Sequence, residues 1–339
     1  MIALLLAALL CQEDKAIDEI VRKKVDPAGP GVAVLALRQG KIVHRKGYGL
    51  ADVDAKTPIS PMTLFDLASC SKQFTAVAVL RLAEQERLKL DDDVRKWLPE
   101  LKVHDPKRPI RVEDLLHHTS GLSDYLGLME AVPKADGMTN KEALGIVANR
   151  SLVFLTGRKF GYSNTNYCLL ALIVERITKK SFGDYMKSEI FRTAGMRTAD
   201  VLEPGASLLY RATGYEKRGG EYEKKSGGPL TTGDGGIFLS LDDWVAFEKG
   251  RPRLLRKESW DAAFRPGKLD DGTAHDYGFG VGIQKAGGKT LIGHEGEWAG
   301  FRSYFVRWIE DDITLVILAN RTNLDLGALA DAIGPRLFQ

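Results

Sequence analysis

Ser69 and Lys72 stand three residues apart in the run Phe65 to Glu84, FDLASCSKQFTAVAVLRLAE, and no other serine of the chain has a lysine at that spacing. On a helix, positions i and i+3 share a face, so the spacing predicts a hydroxyl beside an ammonium, a nucleophile next to a base. A helix opening at Ser69 would also offer unpaired backbone N–H groups and a positive dipole end to a developing oxyanion. Tyr162 and Asn164, in the only Y-x-N of the chain, precede a second apolar run. A phenol there can accept a proton if an ammonium such as Lys72 lowers its pKa, and the Asn164 amide can hold a substrate carbonyl or orient Lys72. A third group, His294-Glu295-Gly296, closes an apolar strand-like segment, where Gly296 would let a substrate backbone come close.

Other candidates for chemistry have simpler readings. Cys70 lies beside Ser69, but it does not share a helix face with Lys72 and reads as a small buried hydrophobe. Cys11, Cys70 and Cys168 are far apart and odd in number, so they form neither a disulfide framework nor a zinc site. The pair His117-His118 has no carboxylate-histidine spacing around it and reads as structural. His294-Glu295 is not a zinc-protease motif, because Trp298 stands where the second histidine would be. The loop Gly227 to Gly236 is glycine-rich but lacks the lysine of a phosphate loop.

These residues need a scaffold, and the patterning supplies one. Past Lys72, Phe74, Val77, Ala78, Leu80 and Leu82 surround the helix on most sides, as in a helix buried in a core and running to about Leu88. Residues 70 to about 200 are mostly helical, with further helices over Thr139–Asn149, Tyr167–Thr178 and Phe182–Phe191. Strands gather at the two ends. A hairpin turns at Arg38 to Lys41, and segments Gly278–Gln284, Lys289–Gly293, Gly300–Trp308 and Asp312–Asn320 read as strands before a closing helix at about 326–338. Ser240 caps a helix through Phe247. The expected class is α/β (α+β): an antiparallel sheet built from both chain ends (13–68 and 205–339), a helical insertion over 69–204, and the site at their junction.

The composition sets the setting. The 339 residues, 44% hydrophobic and 27% charged, suit a soluble globular protein with a large core. A net charge of +3, spread along the chain, implies no nucleic-acid or anionic-membrane partner. The apolar run Ile2 to Leu10 is too short to span a bilayer and reads as the core of a signal segment over 1–12, although it lacks a basic start and Leu10 suits lipidation at Cys11 poorly. Export follows as the expectation, with a cytoplasmic protein as the alternative.

In this order, S-x-x-K at Ser69, H-T-S-G-L at His118, Y-x-N at Tyr162 and G-H-x-G at Gly293, the sequence resembles the penicillin-recognising serine hydrolases. It looks most like the branch of class C β-lactamases, D-alanyl-D-alanine carboxypeptidases and family VIII esterases, from about Asp14 to the C-terminus. The resemblance implies a β-lactamase/transpeptidase-like fold and an acyl-enzyme on Ser69. Lys72 would lower the proton affinity of Ser69, and Tyr162 would act as general base. Asn164 matches the amide of the second motif, and the backbone N–H groups of Ser69 and Glu297 would form the oxyanion hole. No metal or cofactor is implied. A small ester, an amide or a D-amino-acid peptide is the implied substrate, and the chain is expected to act as a monomer. True β-lactamases and penicillin-binding proteins carry lysine where this chain has His294. Histidine is mostly neutral at pH 7, and Glu295 would add negative charge near the same spot, so carboxylate-bearing antibiotics are disfavoured. The alternatives are a true β-lactamase or D-Ala-D-Ala carboxypeptidase and, from another class, a non-catalytic module that senses peptidoglycan.

Overall fold

The computed structural model describes residues 13–102, 105–131, 137–204, 206, 209–225 and 227–338. The expected signal segment at 1–12, with Cys11, lies outside them.

The hairpin forms as its alternation predicts. Strands β1 (Val32–Arg38) and β2 (Lys41–Tyr48) are joined by Gln39 and Gly40, whose φ of 51° and 70° turn the chain in two residues. From the other end of the chain come β3 (Gly282–Ala286), β4 (Lys289–Trp298), β5 (Phe301–Trp308) and β6 (Ile313–Ala319). All six make one antiparallel sheet in the order β3-β4-β5-β6-β1-β2. The two chain ends meet at its centre, where β1 pairs with β6 from Val32–Ala319 to Arg38–Ile313.

Every residue of β6, and all but the last of β1, is buried, because both sheet faces are covered. Side chains alternate between the faces with period two. Ala33, Leu35, Val316 and Leu318 face one core, and Val32, Val34, Leu315 and Ile317 face the other. The second face is capped by α1 (13–22), through Ile17 and Val21, and by a C-terminal helix through Leu329 and Ile333. Each fully buried side chain of this kind contributes about 1.5–3 kcal/mol. The helices over the first face and beyond it are α2 (Lys72–Glu84), α3 (Asn164–Thr178) and α4 (Leu241–Leu254); the C-terminal one is α5 (Leu326–Ile333). Buried Phe74 of α2 packs against Trp244 and Phe247 of α4, with ring centroids 5.9 and 4.6 Å apart.

The helix expected to open at Ser69 becomes α-helical one turn later. Phe65 and Asp66 are strand residues, paired with Leu239 and Phe238 in a small three-stranded sheet. Ala68 follows at φ 45°, a left-handed conformation that costs a non-glycine residue roughly 1–2 kcal/mol and is not that of an α-helix. Ala68 to Ser71 then form a 3₁₀ turn, and the α-helix starts only at Lys72 and ends at Glu84 rather than Leu88. The strand expected at Gly278–Gln284 is also shifted. Gly280, at φ 76°, lies so close to the first turn of α2 that a Cβ there would be 2.6 Å from the Lys72 carbonyl oxygen. Its segment is therefore a loop packed on that helix, and β3 begins at Gly282. The helix expected to stop at Phe247 continues to Leu254, with Pro252 in its last turn.

Candidate active site

The turn that carries Ser69 is tied down on all sides before the nucleophile is reached. The Asp66 carboxylate accepts from Ala68 N–H at 2.8 Å, Leu67 N–H donates to Ile237 O at 2.9 Å, and the Ser303 hydroxyl donates to Leu67 O at 2.6 Å. These bonds hold the left-handed Ala68 in place and present Ser69 Oγ at the junction of the sheet and the helices.

Lys72 is fully buried at the start of α2, and its Nζ reaches three oxygens: Ser69 Oγ at 3.1 Å, Asn164 Oδ1 at 2.8 Å and Asp234 O at 2.8 Å. Burial pushes its pKa down to about 8, against opposing pulls from Asp234 and Asp124. Two of the three oxygens belong to carbonyl groups, which only accept. A neutral Lys72 that keeps both bonds has its lone pair left for Ser69.

Tyr162 Oη donates to Ser69 Oγ at 3.0 Å, so the serine oxygen is held between phenol and amine. The electrostatics reverse the expectation that Lys72 lowers the pKa of Tyr162. Nζ lies over the ring, 5.0 Å from its centroid, and burial pushes the hydroxyl above its ordinary value, with the Ser69 bond opposing. Tyr162 is therefore a protonated donor at ordinary pH.

His294 lies within β4, not at the end of a strand as its pattern implied. Its Nδ1–H donates to the Glu295 carbonyl at 2.5 Å, which leaves Nε2 to accept from the Tyr277 hydroxyl at 3.0 Å. Both nitrogens are used by a neutral ring, and burial, with Lys72 nearby, pushes its pKa down to about 4. Glu295 lines one cavity together with His294, but its carboxylate turns to the other side of the strand from the imidazole. Neighbours on a strand point to opposite faces, and Glu295 Oε1 reaches the α5 side, 4.0 Å from a Cβ built on Gly327. Gly296 is where β4 crosses the Ser69 turn: a Cβ there would be 2.5 Å from Leu67 O and 2.8 Å from Ser69 N. Glu297, paired with Arg302 at 3.0 Å, lines a cavity together with Ser69.

Other residues complete the site, of which Asp124, Asp234 and Tyr277 do not stand out in the sequence. The buried ring of His118 lies against that of Tyr162, centroids 4.4 Å apart, and its Nδ1 accepts from Ser163 N–H at 3.2 Å, so this histidine supports the Tyr162 loop. Asp124 accepts from both the backbone N–H and the Nδ2 of Asn164. The buried Asp234 carboxyl accepts from Tyr125 Oη at 2.7 Å. His118 and Asp124 lie in the H-T-S-G-L-S-D-Y stretch, a signal that could have found them; Tyr277 has no local motif. Cys70 is buried, donates from Sγ to His294 O at 3.1 Å, and has its pKa pushed up to about 12 by burial, so it stays a thiol. Among the described residues, no three His, Cys, Asp or Glu side chains are grouped to hold a metal ion, and no helix is long and apolar enough to cross a membrane.

Two cavities flank Ser69 and Tyr162. One is lined by Asp66, Ser69, Tyr125, Asn164, Asp234, Glu297 and Trp298 among others. The second is lined by Tyr162, Tyr277, Gln284 and His294 with residues of β4 and β5. Among the described residues, no lysine or arginine lines either one.

Comparison with known proteins converges on one group. The family model described as Beta-lactamase matches residues 17–335. The chain is 32% identical over 310 residues to a penicillin-binding protein of Bacillus subtilis, covering 85% of this chain and 67% of that one. It is 30% identical over 320 residues to a D-aminopeptidase of Gluconobacter oxydans, covering 91% of this chain but only 59% of the aminopeptidase. Among solved structures, an octameric penicillin-binding protein homologue from Pyrococcus abyssi superposes with a TM-score of 0.80 at 26% identity, covering 96% of this chain and 76% of that one.

Proposed function

This chain belongs to the beta-lactamase family, and we propose that it is a serine hydrolase that cleaves small esters and amides lacking a carboxylate, through an acyl-enzyme on Ser69. The observation that carries this reading is the placement of Ser69 Oγ within 3.1 Å of both Lys72 Nζ and Tyr162 Oη.

The proton inventory assigns the roles. A neutral Lys72 takes the Ser69 proton as Oγ bonds to the acyl carbon, and the oxyanion forms against the backbone N–H groups of Ser69 and Glu297. Tyr162, still protonated, gives its proton to the leaving alcohol or amine as the acyl bond to it breaks. Lys72 then returns its proton to Tyr162. Deacylation runs the same transfers with water as nucleophile: its proton passes to the amine, and Ser69 leaves as the hydroxyl. In this reading the role of base, which the resemblance gives to Tyr162, passes to Lys72, because the buried amine is the group poised near neutral pH, while Tyr162 keeps the delivery of the proton to the leaving group.

Substrate choice follows from the charge of the walls. Asp66, Asp234 and Glu297 line the cavity beside Ser69, and His294 is held neutral, so among the described residues no lysine or arginine of the cavity wall meets a carboxylate on the substrate. The aminopeptidase relative supports extending the reading to amides of D-amino acids, whose free amine suits such a wall.

The test is a panel: a neutral p-nitrophenyl ester, D- and L-alanine p-nitroanilides, and a penicillin. The reading predicts that the ester and the D-anilide have kcat/KM at least about tenfold above that of the penicillin. A penicillin turned over faster than both would show a true β-lactamase instead.

A further inference from the structure

We infer that Asp124 is a positioning residue for the Ser69 chemistry: it fixes the Asn164 amide with its oxygen toward Lys72, and so decides that the lone pair of the base points at Ser69. The inference rests on the acyl-enzyme reading above.

Asp124 Oδ2 accepts from Asn164 N–H at 3.1 Å and from Asn164 Nδ2 at 2.9 Å, while Oδ1 accepts from Leu126 N–H at 3.0 Å. A carboxylate only accepts, so the amide end facing Asp124 must be the NH2. Its oxygen is thereby turned to Lys72 Nζ at 2.8 Å. The other fixed acceptor of Lys72, the Asp234 carbonyl, is backbone and cannot rotate. With both positions accepting, a neutral amine spends its two N–H groups on them, and its lone pair is left for the Ser69 hydroxyl.

An inverted Asn164 would present NH2 to Nζ. Lys72 would then accept from the amide and donate to Ser69, so the amine would hold the nucleophile without being able to deprotonate it. Among the described residues, nothing else around Lys72 corrects this. The groups facing it are Asp124 and Asp234, the Cys70 thiol, the rings of Tyr162 and Tyr167, and the neutral His118 and His294. None of these contacts the Asn164 amide except Asp124.

Asp124 also receives the first backbone N–H of α3, so a purely structural role as a helix cap predicts lower thermal stability and nothing more. The experiment separates the two by following phosphonylation of Ser69 with a fluorophosphonate, read by intact mass against pH, alongside thermal unfolding. In Asp124→Asn the new amide can donate to Asn164 and invert it. The expected result is a labelling rate lower by about a hundredfold and a pH midpoint lower by about one unit, because a negative charge near Lys72 is gone. In an Asn164→Ala background, Asp124→Asn should cause no further loss of rate. The swapped pair Asp124→Asn with Asn164→Asp again places an oxygen toward Lys72, and should recover at least about tenfold of the lost rate with its midpoint above that of the wild type. Labelling at the wild-type rate and midpoint, or a loss undiminished without the Asn164 amide, would overturn the inference. Should Asp124→Asn fail to fold, the swapped pair decides: a rate no better than that of Asn164→Ala overturns it. A wild-type protein that takes no phosphonyl group on Ser69 would overturn the acyl-enzyme reading beneath it, and the inference with it.

Discussion

Lys72 Nζ lies 3.1 Å from Ser69 Oγ, and that contact is the one place where the hydrogen bonding of the amine can change direction. Its other two partners are carbonyl oxygens that accept in either protonation state. As an ammonium, Lys72 donates to all three oxygens and blocks the nucleophile. As an amine, it is the base of the proposed mechanism.

Activity is therefore expected to follow the titration of Lys72. Its pKa is depressed to about 8 from the ordinary 10.5 by burial, so the active base is scarce below that pH and predominates above it. For a neutral ester, kcat/KM should rise through a midpoint near pH 8, with no inflection near 6.5. Lys72→Arg, which stays charged, should lose several orders of magnitude. A flat profile between pH 6 and 9 would remove Lys72 from the role of base.

Tyr162→Phe deletes the donor to Ser69 Oγ and to the leaving group while keeping the ring that stacks on His118. Turnover should fall by about 10²–10⁴-fold. The loss should be smaller for esters with good leaving groups than for amides, which need protonation to depart. Measuring both substrates checks this, and equal losses would argue that Tyr162 acts before the leaving group departs.

Gly296→Ala forces a methyl to within 2.5 Å of Leu67 O and 2.8 Å of Ser69 N. The turn bearing Ser69 must shift, and a displacement near 1 Å should cost kcat about a hundredfold. Full activity in a folded variant, established by thermal unfolding and ester turnover, would mean that β4 does not set the position of Ser69.

The sheet was legible because its strands alternate: β1, β2, β5 and β6 stand where the pattern places them, and the hairpin turn is marked by Gln39-Gly40. The S-x-x-K and Y-x-N spacings were legible because each is local, and the fold needs only to bring Ser69 and Tyr162 together. What the sequence hid depends on contacts across the fold. The start of α2 was misplaced because Ala68 is held left-handed by Asp66 and Ser303, a constraint absent from propensity. The strand before β4 was misplaced because Gly280 packs on α2. The neutrality of His294 comes from burial and the nearby Lys72, and its partner Tyr277 lies seventeen residues away with no motif of its own. The lowered pKa of Lys72 and the raised one of Tyr162, on which the proposed assignment of base and proton donor rests, reflect burial, which composition does not report.

His294 governs the response to charged substrates. Because its pKa is pushed down to about 4, lowering the pH from 8 to 5.5 should leave the ratio of kcat/KM for an acidic and a neutral ester with the same leaving group unchanged. His294→Lys should raise that ratio at pH 8 by about tenfold, roughly 1.4 kcal/mol for one partly exposed charge pair. A ratio that climbs on acidification in the native protein would show that the imidazole is charged and faces the substrate.

The central claim is a covalent bond to Ser69, and intact-protein mass spectrometry after a brief exposure to a p-nitrophenyl ester tests it directly. The native protein should gain the mass of the acyl group, mapped by peptide digestion to Ser69. Ser69→Ala should show no adduct and less than about a thousandth of native turnover, while Cys70→Ala should behave as the native protein. An adduct that maps to Cys70, or a Ser69→Ala protein that keeps its turnover, would contradict the account.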